Sequence, residues 1–170
     1  MNIPLAFETA ANAILADSAD LSTVTKVRTW QKLANDCKID NEGSRAFPMV
    51  DIRAHVPMTD ENQVTLHSDI EIVCATYGDD DKLHATIQSI YGKVQGVIDT
   101  LYMQWRNTAA TPTAGTVYAL FADTVEANIG AAGVVNIGGF SFQEGLAPYD
   151  DDGRNMIGLT LRVHYSRSDF

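Results

Sequence analysis

The strongest constraint on the fold is one apolar stripe along residues 80–101. Its apolar side chains recur every three or four residues, on one face of an α-helix: Leu83, Ile87, Ile90, Tyr91, Val94, Val97, Ile98 and Leu101. Asp79 or Asp80 is a suitable N-cap, and acidic residues there also favour the positive end of the helix dipole. The pattern therefore predicts a long helix that buries this stripe against another layer.

Two glycines interrupt this predicted helix, Gly92 and Gly96. Each costs about 1 kcal/mol relative to alanine in a helix interior. Because they are four residues apart, they lie on nearly the same face. We therefore expect this face to pack closely against a sheet.

Two segments before the helix alternate between apolar and polar residues, which indicates half-buried strands. In residues 50–56, Val50 and Ile52 alternate with Asp51 and Arg53; residues 66–74 show the same period. A polar connection at residues 59–62 separates the two segments. This arrangement predicts an antiparallel hairpin.

Three further strands are predicted after the helix, at residues 116–121, 134–142 and 157–165. The first is β-branched and aromatic, the second carries Gly138-Gly139 as a bulge or bend, and the third alternates clearly. Residues 143–155 contain Gly145, Pro148 and three consecutive aspartates, so we expect a loop or long turn there.

The N-terminal region is predicted to begin with a shorter helix at residues 4–16. This segment is rich in alanine, Asn2 can cap it, and Pro4 suits the first turn. Residues 17–45 allow either a short strand or a short helix around residues 24–33, followed by a loop. The fold class is therefore α+β: residues 1–170 form a single domain with a mixed, mainly antiparallel sheet of about five strands, covered by one long helix and the shorter N-terminal helix.

Charge and composition exclude several classes of function. The 22 acidic residues outnumber the 12 basic ones, which argues against a surface that grips nucleic acid but suits one past which DNA slides. No apolar run has a membrane-spanning length of about 20 residues. The first 17 residues lack the basic segment of a signal peptide, so we expect a cytoplasmic product without a membrane partner. Cys37 and Cys74 form no CxxC pair, so neither a disulfide nor a zinc site is predicted.

Motifs for catalysis and metal binding are missing from the sequence. There is no GxSxG, Walker A or GxGxxG motif, and neither Ser68 nor Ser89 has an activating base that the sequence reveals. We therefore predict no catalytic, cofactor-binding or metal-binding residue, no cofactor and no enzymatic activity.

Histidines and aspartate clusters are the remaining candidates for a site. The sequence has four histidines: His55, His67, His84 and His164. They could form a metal cluster with Asp69 or Glu71, but no HxH or HExxH spacing exists. The favoured interpretation is that they are polar residues on a sheet face. The aspartates at 79–81 and 150–152 do not match an EF-hand and are interpreted as a helix cap and a turn.

The succession of elements over residues 46–170 resembles phage tail terminator and related tail completion proteins of long-tailed phages. The resemblance consists of VDIR at residues 50–53, HSDIEIV at residues 67–73, the helix at residues 80–101 and GLTLRVHY at residues 158–165. It implies a homohexameric ring that caps the tail tube, ends its polymerisation and joins it to the head-side connector protein. The family has no catalytic residues.

The resemblance also implies a virion protein of the tail or neck, assembled in the host cytoplasm, with DNA passing through the ring lumen without specific binding. Acidic residues at 79–81 or 150–152 are then expected to contribute to the lumen or its rim. The alternatives are a head–tail connector or neck protein, a monomeric or dimeric domain whose sheet faces water, and a small α+β ligand-binding or enzymatic domain.

Overall fold

A computed structural model describes residues 2–22, 26–29, 48–55, 66–77, 81–108, 111–130, 135–151 and 154–168. These residues contain three α-helices, five strands and a short 3-10 turn at Ala19–Leu21. The helices are α1 (Ile3–Asp17), α2 (Asp81–Asn107) and α3 (Val117–Ile129). The strands are β1 (Lys26–Thr29), β2 (Met49–Ala54), β3 (Leu66–Tyr77), β4 (Val135–Asp151) and β5 (Arg154–Arg167). The α+β class predicted from the sequence is confirmed.

The strands form one sheet in the order β1-β2-β3-β5-β4. β2, β3, β5 and β4 pair antiparallel in that order, whereas β1 pairs parallel to β2. The predicted antiparallel pairing of β2 with β3 is therefore confirmed. Its register places Ile52 opposite Ile72, which in turn lies opposite Leu159 on β5. Apolar residues of neighbouring strands therefore share one face of the sheet.

The helices cover this apolar face, and the core lies between the two layers. Phe7 of α1 packs edge-on against Tyr165 of β5 with ring centroids 5.1 Å apart. Phe121 of α3 packs edge-on against Phe140 of β4 at 5.4 Å. Such aromatic contacts contribute beyond the apolar area that they bury, and here they join α1 and α3 to the strands at one end of the sheet.

α1 follows the sequence prediction closely. The backbone N–H of Leu5 donates to the Asn2 side chain at 3.1 Å, and Pro4 lies in the first turn. The cap therefore satisfies one of the N–H groups that a helix start leaves without a partner. Residues 17–45, which the sequence left open, contain β1 in their described part.

The strand predicted at residues 116–121 is wrong: this segment begins α3. The Thr116 side chain accepts a hydrogen bond from the N–H of Ala119 at 3.1 Å, and the helix ends at Gly130 with a φ of 76°. A threonine N-cap and a left-handed glycine after the last turn are strong helix boundaries. The helical layer of the described residues therefore has three helices, rather than a long helix and one shorter helix.

The loop predicted at residues 143–155 is also wrong. β4 continues through Asp151, and β5 begins at Arg154, so most of this segment belongs to a long hairpin. Irregular register between Glu144 and Leu146, and between Leu146 and Tyr149, accommodates the residues that suggested a turn. The bulge predicted at Gly138-Gly139 is confirmed by the register shift between Ile137 and Gly139.

The predicted stripe of α2 is confirmed where its side chains are described, although Tyr91 is only half-buried. The buried members are Ile87, Ile90, Val94, Val97, Ile98 and Leu101. The helix also continues beyond the predicted end, to Asn107. The packing predicted for Gly92 and Gly96 is wrong. Both are exposed, and a Cβ atom built at either would meet nothing within 4 Å.

A candidate interaction face on the sheet

The face of the sheet opposite the helices carries polar side chains, and we call it the polar sheet face. It arises because successive residues of a strand point to opposite faces and the helices take the apolar one. Its described polar members come from β2, β3, β4 and β5: Asp51, Arg53, His67, Asp69, Glu71, Ser141, Gln143, Thr160, Arg162 and His164. The same registers place the apolar residues Met49, Val73, Ala75 and Met156 at one end of this face. The chain has a net charge of −10, but among the side chains described on this face the charges are nearly balanced, with three carboxylates and two guanidinium groups.

An ion pair between neighbouring strands fixes the centre of this face. Arg162 donates from Nε to Asp69 Oδ1 at 2.7 Å and from Nη2 to Asp69 Oδ2 at 2.8 Å. The hydrogen bonds from Arg162 hold the pKa of Asp69 below its ordinary value, and the same bonds raise the pKa of Arg162. Both side chains are partly exposed, so the pair contributes little stability but fixes two planar groups in one geometry.

Asp51 is the most strongly perturbed acid of this face. Its Oδ1 atom is buried and has no hydrogen-bond partner among the described residues. Burial raises its pKa to about 6; the charges of Glu8 and Glu71 act in the same direction, whereas Arg53 opposes them. Keeping the Asp51 carboxylate ionised at neutral pH therefore lowers the stability of the fold.

Glu8 reaches the end of β2 from the helical layer. It is buried on α1, and its Oε2 atom accepts a hydrogen bond from the N–H of Ala54 at 3.1 Å. This contact satisfies a backbone donor where the described part of the β2 ladder ends. It also places a second acidic group near Asp51, which explains part of the raised pKa there.

The histidines are spread over the face instead of converging. His55 lies 3.3 Å from Glu71 through Nε2 and Oε2, and the rings of His67 and His164 have centroids 6.2 Å apart. Burial lowers the pKa of His164, and the charges of Arg162 and His67 add to this effect. The described residues hold no group of three or more His, Cys, Asp or Glu side chains suited to a metal ion. The side chain of His84 lies outside the described part of the chain.

Sequence reasoning missed one contact, between Ser141 and His164. The serine Oγ lies 3.3 Å from the histidine Nε2. This is a serine–histidine pair of the kind that nucleophilic enzymes use, but an enzyme also needs a group that orients the histidine. Asp69 is paired with Arg162, and the described residues show no hydrogen bond between Asp69 and His164. The contact depends on the bulge at Gly138, so no pattern within one strand reveals it.

The other residues considered from the sequence are not brought into this site. Ser68 is buried and donates to the carbonyl of His55 at 3.2 Å, while Ser89 is exposed on α2. Cys74 is buried, and burial raises the pKa of its thiol to about 12, so it is an unreactive core residue. Cys37 lies outside the described residues.

The two aspartate clusters also lie outside what the structure describes. Residues 79, 80 and 152 are not described, and for residues 81, 150 and 151 the description covers the backbone alone. Their assignment to a ring lumen therefore stays a prediction.

Comparison with known proteins assigns no family or function to this chain. No protein-family model matches the chain, and a search of curated proteins finds no match to its sequence. Within the described residues, none of the helices combines the length and apolar character needed to cross a membrane.

Proposed function

We propose that this chain is a non-enzymatic structural protein of the phage tail terminator type. In this role it forms a homohexameric ring on the tail tube, ends tube polymerisation and contacts the head-side connector, while DNA passes through the ring. The observation that carries the proposal is the polar sheet face. It is broad and nearly charge-balanced, and in the described residues the helices pack on the opposite side.

Charge explains why copies would meet through this face. Two copies of a chain with a net charge of −10 repel each other over most of their surfaces. On the polar sheet face, Arg53 and Arg162 offset most of the charge of Asp51, Asp69 and Glu71. A neighbouring subunit can therefore approach here at a lower electrostatic cost, and ordered pairs such as Arg162–Asp69 offer directional hydrogen bonds.

The edge of the sheet next to this face also suits contact between copies. β4 forms an edge of the sheet, and its 17 residues include no lysine or arginine. Lysine is a common protection against unwanted pairing of edge strands. The bulges at Gly138 and beyond Glu144 interrupt β4, but its pairing with β5 is regular over residues 139–144. This segment is the part of β4 best suited to join a neighbouring subunit.

The first prediction concerns assembly. The purified chain should form hexameric rings with a central hole, alone or on purified tail tubes, and light scattering after size exclusion together with negative-stain electron microscopy measures this. Arg162→Glu should abolish the rings, because it replaces the central ion pair by two like charges. Arg106→Glu, an exposed position on α2, is the matched control and should leave them intact.

Two outcomes would contradict the proposal. One is a strictly monomeric protein that also fails to bind tube ends. The other is equal assembly by wild type and Arg162→Glu, which would remove the polar sheet face from the subunit contact. A ring that binds connector rings but never tube ends would instead assign the chain to the head–tail connector or neck proteins.

The second prediction concerns DNA. The protein should show no measurable affinity for duplex DNA at physiological salt, because its net charge of −10 repels the phosphate backbone. Fluorescence anisotropy with a labelled duplex measures this, and a tail assembly lacking the protein serves as the control. Tight binding by the wild-type chain would contradict the role of a conduit and favour a nucleic-acid-binding protein.

The contact between Ser141 and His164 raises one alternative function to be tested, that of a small hydrolase. Because no acid orients His164 among the described residues, we expect no ester hydrolysis that depends on Ser141. Release of p-nitrophenol from p-nitrophenyl acetate, compared between wild type and Ser141→Ala, tests this. A rate that falls to the buffer value in Ser141→Ala, with the fold unchanged by circular dichroism, would establish the hydrolase and overturn the structural role.

A further inference from the structure

A groove lies on the helical side of the molecule, between the end of α1, the middle of α2 and the start of α3. Its volume is about 590 Å³. The apolar part of its lining comes from all three helices: Ile14, Val97, Val117 and Leu120. The polar part includes Thr100 and three aspartates, Asp17, Asp20 and Asp123. The groove is therefore amphipathic, with aliphatic surface beside carboxylates.

The charge of this groove has one sign. Its described lining contains three aspartates and no lysine, arginine or histidine. Asp17 is also the last residue of α1, whose final turn has no basic residue, so a carboxylate lies at the negative end of the helix dipole. Asp20 follows in the next turn. This placement is unfavourable within the isolated chain, and a cation bound in the groove would offset it.

Gly96 supplies a second, independent reason to expect an occupant. It lines the groove, it is exposed, and a Cβ atom there would meet nothing within 4 Å. Neither backbone strain nor packing within the chain therefore explains a glycine, which weakens a helix interior relative to alanine. The missing side chain does allow another polypeptide to approach the backbone of α2 closely.

We propose that this groove docks a lysine- or arginine-bearing segment of a different protein. The aliphatic stem of the basic side chain lies along Val97 and Leu120, and its cationic head lies among the three aspartates. A second copy of this chain is a poorer occupant, because its net charge of −10 repels an acidic groove. The groove is on the helical side, away from the polar sheet face, so this docking does not depend on ring formation.

The test uses a short fluorescein-labelled, alanine-based helical peptide with lysine and leucine on one face, and a matched peptide with glutamate in place of lysine. Fluorescence anisotropy with the full chain, at low and at physiological salt, reports binding. We expect the lysine peptide to bind, with an affinity that falls as salt screens the charges, and the glutamate peptide to show no binding.

Matched variants locate the binding. Gly96→Leu fills the groove and should weaken binding at least about tenfold, since it blocks close approach to α2. Gly92→Leu, an equally open glycine one turn earlier that does not line the groove, should bind as wild type does. Neutralising Asp17, Asp20 and Asp123 to asparagine should weaken binding about two- to fivefold for each charge. Asp99→Asn with Glu126→Gln is the control on exposed carboxylates outside the groove.

Several results would overturn the proposal. They are no binding of the lysine peptide, equal binding of both peptides, or equal losses in Gly96→Leu and Gly92→Leu. Self-association of the chain that Gly96→Leu abolishes would show that a second copy is the occupant. Ring formation is measured separately. A protein that forms rings but does not bind the lysine peptide would refute only the docking proposal, and a protein that binds the peptide but forms no rings would refute only the ring proposal.

Discussion

Replacing Ile98 with alanine should lower the free energy of unfolding by about 2–5 kcal/mol. Ile98 is 1% exposed and belongs to the apolar stripe of α2, within the core that joins helices and sheet. Truncating it removes three carbons from a closely packed interior and leaves a cavity, because the surrounding layers relax only in part. Chemical denaturation at neutral pH, with the midpoint and the slope both fitted, measures the change.

Two other positions of α2 serve as controls. Gln88 is exposed and Lys93 is half-buried outside the apolar stripe, so their alanine variants should shift stability by no more than about 0.5 kcal/mol. An unchanged midpoint in Ile98→Ala, together with unfolding of Lys93→Ala, would contradict the orientation of the helix. The comparison separates burial from helix propensity, since all three changes introduce the same residue.

Four of the correctly predicted elements were recognisable because each buries one face. α2, β2, β3 and β5 each have a periodic pattern because one side contacts the core and the other meets water. Ile72, for example, is fully buried, whereas its neighbour Glu71 is half exposed. The local sequence alone shows which side of such an element is buried. The element can therefore be predicted without knowing which strands or helices pack against it.

The segment at residues 116–121 shows where local composition misleads. Its valine, tyrosine and phenylalanine favour a strand by propensity, but propensity is a weak guide when tertiary packing decides. Tyr118, Phe121 and Val125 are buried at helical spacing. Tyr118 and Phe121 contact the ring of Phe140 on β4, and Phe121 also stacks on Phe7 of α1. The helix boundaries at Thr116 and Gly130 were present in the sequence, and they outweigh the β-branched residues.

The strand predicted at residues 134–142 is confirmed as the first half of β4, but the second half was mispredicted as a loop for a different reason. Gly145 and Pro148 usually mark turns, yet both lie inside the strand. β4 is at the edge of the sheet, where a proline with no N–H removes no hydrogen bond from an outer neighbour, and register irregularities absorb the extra residues. Whether a strand is central or at the edge follows from the topology, which these residues do not reveal.

The candidate sites were predictable only in part. His164 is predicted on a polar sheet face, and Arg162 likewise alternates with apolar residues in the same predicted strand. Their contacts with Asp69 and Ser141 depend on the pairing of β5 with β3 and β4, which lie far away in the sequence. The acidic groove combines residues of three helices, and the exposure of Gly96 was opposite to what its spacing suggested.

The second large effect is expected at Asp51. Asp51→Asn should raise the free energy of unfolding at pH 7 by about 1–3 kcal/mol, the lower figure allowing for solvent screening of its exposed part. The reason is that burial raises the pKa of this carboxyl from 3.8 to about 6, so holding it ionised at neutral pH costs free energy that an uncharged amide avoids. Thermal and chemical denaturation of both proteins measure the difference.

The pH dependence has a definite sign. Between about pH 4 and pH 6 the folded state binds more protons at Asp51 than the unfolded state, so the stability of the wild type falls as pH rises through this window and is level above it. His164 acts in the opposite direction, because its pKa is lowered and its contribution is lost as pH falls below 6.5. His164 is present in both proteins, so its contribution cancels when the free energies of unfolding of wild type and Asp51→Asn are subtracted. This difference in stability should vanish below about pH 4.

Asp69→Asn is the matched control, because the same chemical change on the same face should have the opposite sign. Hydrogen bonds from Arg162 lower the pKa of Asp69, so its ionised form stabilises the fold above the ordinary value of 3.8 and is lost as pH falls through its lowered pKa. The amide should therefore destabilise the protein at pH 7 and have less effect in strong acid. Equal stability of Asp51→Asn and wild type from pH 4 to pH 7 would show that ionisation of Asp51 does not destabilise the fold. Opposite signs at the two positions would show that burial governs one carboxylate and pairing with Arg162 the other.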